Sequence, residues 1–317
     1  PKLVSEIPGP QSRSWIDRVA VRECPAITAR RDRRASALGA SDDDPIVWKE
    51  AIGSNVFDVD GNRFVDLTAG FGVASVGHRN PRVVAAAKAQ MDQLLHVMGD
   101  AFPDTNRILL LEKLATLSGL ERSILGSSGS DAVEAALKTG KILSGRSGVL
   151  AFTGAYHGLS YGALPVTGYR GSAFRDPFSD QLGNHVRRAE YGGPIPDLDD
   201  IGTVIVEPVQ GRGGIRVPPA GWLQELADKT RSAGGVLIFD EVYTGFGRTG
   251  DWFAFQDEAV RPDILVVGKG MAGGFPISAA IGTAEAMDAW GVSEGEALHT
   301  QTFLGHPVGC AMALACI

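Results

Sequence analysis

Cysteine is scarce: Cys24, Cys310 and Cys316 are the only three in 317 residues. An odd number without a C-x-x-C pair argues against a disulfide framework and against a thiolate zinc site. Long apolar runs are missing too. Stretches such as Val236-Leu237-Ile238-Phe239 stop after a few residues, far below the ~20 that cross a bilayer. The opening Pro1-Lys2-Leu3-Val4 has no signal-peptide core. Positive charge is not in excess: 30 basic against 37 acidic residues leave a net charge of −7. That balance offers no footprint for nucleic acid or an anionic membrane. His78, His157, His299 and His306 lack the i, i+4 spacing of a metal pair, so no catalytic metal is expected. What remains, 44% hydrophobic and 21% charged residues, is the composition of a globular, cytoplasmic enzyme with a well-buried core.

Glycine, by contrast, is plentiful: 41 residues, with 17 prolines, imply many tight turns but follow no period. The first 45 or so residues read as polar and irregular, and the basic knot Arg30-Arg31-Asp32-Arg33-Arg34 reads as a solvated arm. Residues 55–66 alternate around Asp60-Gly61, a hairpin signal. Residues 81–96 read as an amphipathic helix with Val83, Val84, Ala87, Met91 and Leu94 near one face. From about residue 125 the pattern changes. Continuous apolar segments at 148–152, 203–206, 236–239 and 264–267 alternate with helical stretches such as 131–143 and 221–233. Continuous rather than alternating apolar strands are covered on both faces. The expected fold is therefore α/β, a doubly wound and mostly parallel sheet.

Ligands of such sheets gather at the carboxyl ends of the strands. Glu207-Pro208-Val209-Gln210-Gly211 follows one segment, Asp240-Glu241-Val242-Tyr243 a second and Gly268-Lys269-Gly270 a third. A lysine at the end of a buried strand holds its ammonium in a poor solvent, which lowers its pKa. A neutral amine is what Schiff-base chemistry requires. The plainer alternative is a lysine whose long stem carries the charge out to water. Ser127-Ser128-Gly129-Ser130 leads into a helix opening with a D-x-x-E cap at Asp131 and Glu134. Free amides at such a start suit a phosphate, although alone the pattern marks only a well-capped helix. Tyr156-His157-Gly158 adds a flat ring at the same edge. A phosphate cradle, an aromatic face, a carboxylate and an amine are together the requirements of one molecule, pyridoxal 5′-phosphate (PLP). Two decoys are set aside. Gly245-Phe246-Gly247-Arg248-Thr249-Gly250 fits G-x-G-x-x-G but opens no clear helix, and no Ser or Thr follows Gly268-Lys269.

With these motifs in order, the chain resembles the class III (ω-type) aminotransferases, PLP enzymes of fold type I, from about Gly53 to its last residue. The resemblance rests on Asp58-Val59-Asp60-Gly61, Gly77-His78-Arg79-Asn80-Pro81, Ser128-Gly129-Ser130-Asp131-Ala132 and Tyr156-His157-Gly158. It continues through Glu207 to Gly211, Asp240-Glu241-Val242 with Thr244 to Gly250, Gly268-Lys269-Gly270, Thr302-Phe303 and Gly305-His306-Pro307. It implies a three-layer sheet domain over residues 101–317, preceded by an N-terminal arm and small α+β segment over residues 1–100. The usual C-terminal subdomain is expected to be absent from these residues, which the resemblance reads as a portion of a longer chain or as a truncated form.

By position, the resemblance assigns Lys269 to the internal aldimine and the travelling proton, and Asp240 to the pyridine nitrogen. Tyr156 and Val242 would border the ring, and Ser128, Gly129 and Ser130 would grip the phosphate. His157, Glu207 and Tyr243 would stand beside the cofactor. Thr302 would reach the phosphate of a neighbouring subunit, which implies a homodimer with shared sites. The implied reaction moves an amino group from an ω-amino acid or amine to an oxo acid such as pyruvate or 2-oxoglutarate. The alternatives are an aminomutase or decarboxylase of the same fold, or a truncated subunit that binds PLP without turnover.

Departures from the family pattern bear on substrate. Where acetylornithine-, ornithine- and 4-aminobutyrate-type members usually carry a carboxylate-binding arginine there is Leu159, and where they carry the gating glutamate there is Arg212. Tyr243 stands in place of a common glutamine. Arg212 is the candidate carboxylate clamp, since a guanidinium fork matches a carboxylate. Phe71 is the second substrate-side candidate.

Overall fold

The computed structural model describes residues 1–27, 45–258 and 260–317. The basic knot at 30–34 lies outside the described residues. Contacts divide the chain into two compact units, Pro1–Asn80 and Pro81–Ile317.

The first unit is built on an antiparallel sheet of β1 (Trp48–Ile52), β2 (Asn55–Asp58) and β3 (Arg63–Val65). The expected hairpin is β2–β3. Its turn is fixed by the buried Asp58, whose Oδ1 accepts from the amides of Asp60 (3.0 Å) and Asn62 (2.7 Å), with Gly61 left-handed at φ +90°. A helix that the sequence reading treats as irregular chain, α1 (Pro10–Ala20), belongs to the same unit. Its cap is not local. The Asp60 carboxylate accepts from Gln11 N (2.8 Å), Ser12 N (2.9 Å) and the Ser12 hydroxyl (2.6 Å). No window scanned along the chain joins positions so far apart.

The second unit holds a seven-stranded sheet of β4 (Arg122–Gly126), β5 (Gly148–Phe152), β6 (Val186–Ala189), β7 (Ile201–Val206), β8 (Val236–Asp240), β9 (Ile264–Val267) and β10 (Ser278–Gly282). Their order is β4-β10-β9-β8-β7-β5-β6, and β10 alone runs antiparallel to its neighbours. The longer helices of this unit are α2 (Pro81–Met91), α3 (Thr105–Ser118), α4 (Gly129–Ser144), α5 (Trp222–Ser232) and α6 (Pro307–Cys316).

Alternate side chains of single strands enter two separate cores. Leu150, Val204, Leu237 and Leu265 pack with Leu110 and Leu114 of α3 and Leu223 and Leu226 of α5. Val149, Ile205, Ile238 and Val266 pack with Ala132, Val133 and Ala136 of α4. This is the expected three-layer arrangement. The small side chains of α4, Gly140 among them, let the helix lie close on the sheet: a Cβ there would come 2.5 Å from Thr203 Oγ1.

Two helix expectations need correction. The cap of α4 is Ser128, whose hydroxyl accepts from Asp131 N at 3.2 Å, while Glu134 instead pairs with Lys138 at 3.2 Å. Helix α2 ends at Met91 and buries Val83, Ala87 and Gln90, leaving Met91 and Leu94 exposed. Gln90 takes an inward place because its amide is satisfied there, donating to Leu94 O (2.8 Å) and accepting from Asn106 (2.6 Å).

Candidate active site

Strands β8 and β9 are parallel neighbours, and Asp240 lies opposite Val266. Asp240 and Lys269, three residues beyond Val266, therefore leave the sheet at one edge. Lys269 sits in a left-handed conformation, φ +37°, unusual for a residue with a side chain. Its ammonium lies 5.6 Å from the centre of the Tyr243 ring. Burial holds the Lys269 amine below its ordinary pKa. The negative charges of Asp240 and Glu207 oppose that shift, while the guanidiniums of Arg212 and Arg248 add to it.

Asp240 is 3% exposed and has one partner at each oxygen: its Oδ2 meets His157 Nδ1 at 2.7 Å, and its Oδ1 accepts from Val242 N at 3.0 Å, which leaves acceptor capacity on both. A carboxylate only accepts, so the His157 proton sits on Nδ1. Nε2 is left buried and without a partner among the described residues. The His157 backbone is held in turn, its amide donating to Thr167 Oγ1 at 3.2 Å. Glu207, also buried, accepts from the amides of Tyr156 (2.8 Å) and Gly211 (3.2 Å). Its carboxylate thus pins the loops after β5 and β7 together, and burial raises its pKa.

At the start of α4, the amides of Gly129 and Ser130 have no acceptor among the described residues. Gly129 is required by a close approach: a Cβ there would stand 3.1 Å from Val242 Cγ1. The Ser130 hydroxyl accepts from Leu159 N at 3.2 Å, under Gly158, where a Cβ would overlap it at 1.9 Å. Loops after β4, β5, β7, β8 and β9 thus meet at one edge of the sheet.

Arg212 is exposed, and its guanidinium lies 4.1 Å above the Tyr156 ring and 5.1 Å from that of Tyr169. Among the described residues no carboxylate pairs with it. Leu159 is half exposed, and Thr302 is exposed on the loop before α6. Phe71 belongs to the first unit, where it is exposed with φ +63°. The Gly245 to Gly250 segment is a turn that gives Arg248 Nε to Tyr243 O at 2.8 Å. Tyr169 and Gln301 are not among the sequence candidates, and Arg248 stands there only as a member of the Gly245 to Gly250 pattern; nearness to Thr302 is the signal Gln301 offers. A cavity of about 530 Å³ opens elsewhere, lined by Arg122, Ile124, Trp290 and Leu298, and contains none of the site candidates.

These residues fit PLP on their own chemistry. A buried anion, a buried amine with lowered pKa, unpaired amides at a helix start and a ring face match its nitrogen, aldehyde, phosphate and plane. Comparison with known proteins agrees. A profile described as Aminotransferase class-III matches residues 38–317. The chain belongs to the class III aminotransferases. Among its relatives, the acetylornithine aminotransferase of Methanosarcina mazei is 38% identical over 281 residues, covering 86% of this chain and 68% of that protein. The putrescine aminotransferase of Pectobacterium atrosepticum is 38% identical over 300 residues, covering 90% of this chain and 63% of that one. An amine transaminase from an uncultivated Pseudomonas species, solved with PLP bound, superposes with a TM-score of 0.79 at 30% identity, covering 88% of this chain and 72% of that one. This class III aminotransferase is a PLP-dependent transaminase of fold type I.

Proposed function

We propose that this class III aminotransferase moves an amino group from an ω-amino compound carrying a carboxylate to an oxo acid, pyruvate or 2-oxoglutarate. Lys269 and Asp240 would act at opposite ends of bound PLP. The observation that carries the reading is their departure from neighbouring parallel strands at one edge, with Asp240 opposite Val266. Support also comes from a relative whose name describes transfer from acetylornithine, a carboxylate-bearing donor, while putrescine, in the name of another, is an ω-amine without one.

When bound, PLP supplies an electron-withdrawing ring that takes up the charge left as a proton departs from the substrate carbon. Lys269 Nζ, whose charge burial disfavours, would accept that proton and return it. The Asp240 carboxylate, oriented by the His157 hydrogen bond, would hold the ring nitrogen. The amides of Gly129 and Ser130, without an acceptor among the described residues, would hold the phosphate, with Ser128 capping the turn. Tyr156 and Val242 would border the ring. Tyr243 and Glu207 fix the surrounding loops. Arg212, without a carboxylate partner among the described residues, would receive the substrate carboxylate from its seat on Tyr156. The exposed Thr302 would reach the phosphate site of a second copy in a cytoplasmic homodimer.

The test is a panel of donors assayed with and without an oxo acid. Product that forms only when pyruvate or 2-oxoglutarate is present supports transamination; donor consumption without an acceptor would instead favour a decarboxylase or aminomutase. Arg212→Ala separates the clamp. The KM for carboxylate-bearing donors should rise about 10- to 100-fold, the worth of a hydrogen bond to a charged group, while that for a simple diamine stays within about twofold. Equal effects on both would remove Arg212 from the substrate site.

A further inference from the structure

The loop that carries Thr302 is fastened to the phosphate-binding turn of its own chain. Gln301 makes the tie with both ends of its amide: Oε1 accepts from the Ser127 hydroxyl at 2.7 Å, and Nε2 donates to Asp131 Oδ2 at 2.5 Å. The orientation of that amide is set by its partners, because a carboxylate only accepts. Asp131 Oδ2 also accepts from Ser127 N at 3.0 Å, and Asp131 Oδ1 faces His299 Nε2 at 3.3 Å. His299 Nδ1 in turn meets Lys138 Nζ at 3.3 Å. Gly126 leaves the carboxylate little other room, since a Cβ there would approach Asp131 Oδ2 to 2.4 Å.

Ser127 and Asp131 flank Ser128, Gly129 and Ser130 on either side. Gln301 therefore grips the phosphate turn at both of its ends, and the next residue along the chain is the exposed Thr302. Local stability of this cluster is shared, because partly buried hydrogen bonds in one network strengthen one another. An anion that orders the turn orders the loop beyond Gln301 as well.

We propose that Gln301 is a positioning residue that couples the phosphate-binding turn of one subunit to the Thr302 loop it presents to its neighbour, so that phosphate binding and subunit association reinforce each other. The inference rests on the dimer reading above. Linkage makes the effect reciprocal: a phosphate ligand that tightens the dimer is itself bound more tightly by the dimer.

The experiment is sedimentation of the protein over a dilution series, without ligand, with inorganic phosphate and with PLP, for the parent, Gln301→Met and Ser127→Ala. Methionine keeps the length of the side chain and removes both hydrogen bonds. Phosphate should tighten the parent dimer by about tenfold, within the usual range of such couplings. In Gln301→Met the dimer should persist with that tightening reduced to less than about twofold, and Ser127→Ala, which keeps the bond to Asp131, should fall between. A merely structural Gln301 would shift the dissociation constant equally with and without ligand. Tightening of the same size in parent and Gln301→Met, or a parent dimer insensitive to phosphate, would overturn the coupling and leave the dimer standing. A parent that is monomeric at every concentration would overturn both. Should Gln301→Met fail to fold, Ser127→Ala alone decides, since unchanged coupling there contradicts the tie.

Discussion

Lys269 combines two costs that a purely structural residue would avoid. Its left-handed backbone costs an L-residue on the order of 1–3 kcal/mol, and its amine is kept from water. Because the folded-state pKa lies below the ordinary 10.5, the folded chain binds fewer protons than the unfolded chain between those two values. Stability from this group is present above 10.5 and lost as pH falls through the folded pKa. Lys269→Met, compared with the parent in cofactor-free form, should therefore have the higher Tm near pH 7, with a gain that fades as pH rises toward 10. Thermal melts across that range check it; a gain independent of pH would mean that the amine is not held out of solvent. Gly158 is the second sensitive residue. With φ +121° and no room beside Ser130 Oγ, Gly158→Ala should push the Ser130 hydroxyl off Leu159 N. The cost should be about 1–3 kcal/mol, together with weaker PLP binding measured by equilibrium dialysis.

At the level of elements, residues that act through their own strand were legible and those that act across the chain were not. Strands β5, β7, β8 and β9 announce themselves because continuous Val, Leu, Ile and Phe runs suit a sheet covered on both faces. Lys269, Asp240 and Glu207 were legible for the same reason, as the charges where those runs end. Strand β10, Ser-Ala-Ala-Ile-Gly, is as buried as any, yet its small side chains carry little strand signal. It is stabilised instead by pairing with both β4 and β9. Helix α1 was invisible because its cap is Asp60. The pairing of His157, in the loop after β5, with Asp240 at the end of β8, two strands separated by β7, was equally out of reach of the sequence. The burial argument gives a direct expectation. Phe239 is fully buried, so Phe239→Ala should destabilise the second unit by about 3–5 kcal/mol, read by denaturant unfolding. For α1, Asp60→Ala should speed amide exchange at Gln11 and Ser12 while leaving that of β7 and β8 unchanged.

Over the whole second unit, apolar side chains that remain in water are not scattered evenly. Leu94, Leu95, Met98 and Phe102 are exposed along one stretch, and Phe303, 58% exposed, contacts His96 of that stretch with ring centres 5.6 Å apart. Apolar side chains grouped in this way form a candidate contact surface. Its place beside Thr302 argues for a second copy as the cover, because the residue proposed to enter a neighbour's phosphate site then sits within the patch that would bring the neighbour close. Phe303→Glu puts a charge into that contact, where association would strand it away from water. The dimer dissociation constant should rise by at least about tenfold, equivalent to 1.4 kcal/mol, and PLP retained per chain after gel filtration should fall with it. A variant as dimeric as its parent would place the subunit contact elsewhere, and a variant that loses the dimer while keeping full PLP occupancy would show that Thr302 does not serve the neighbouring site.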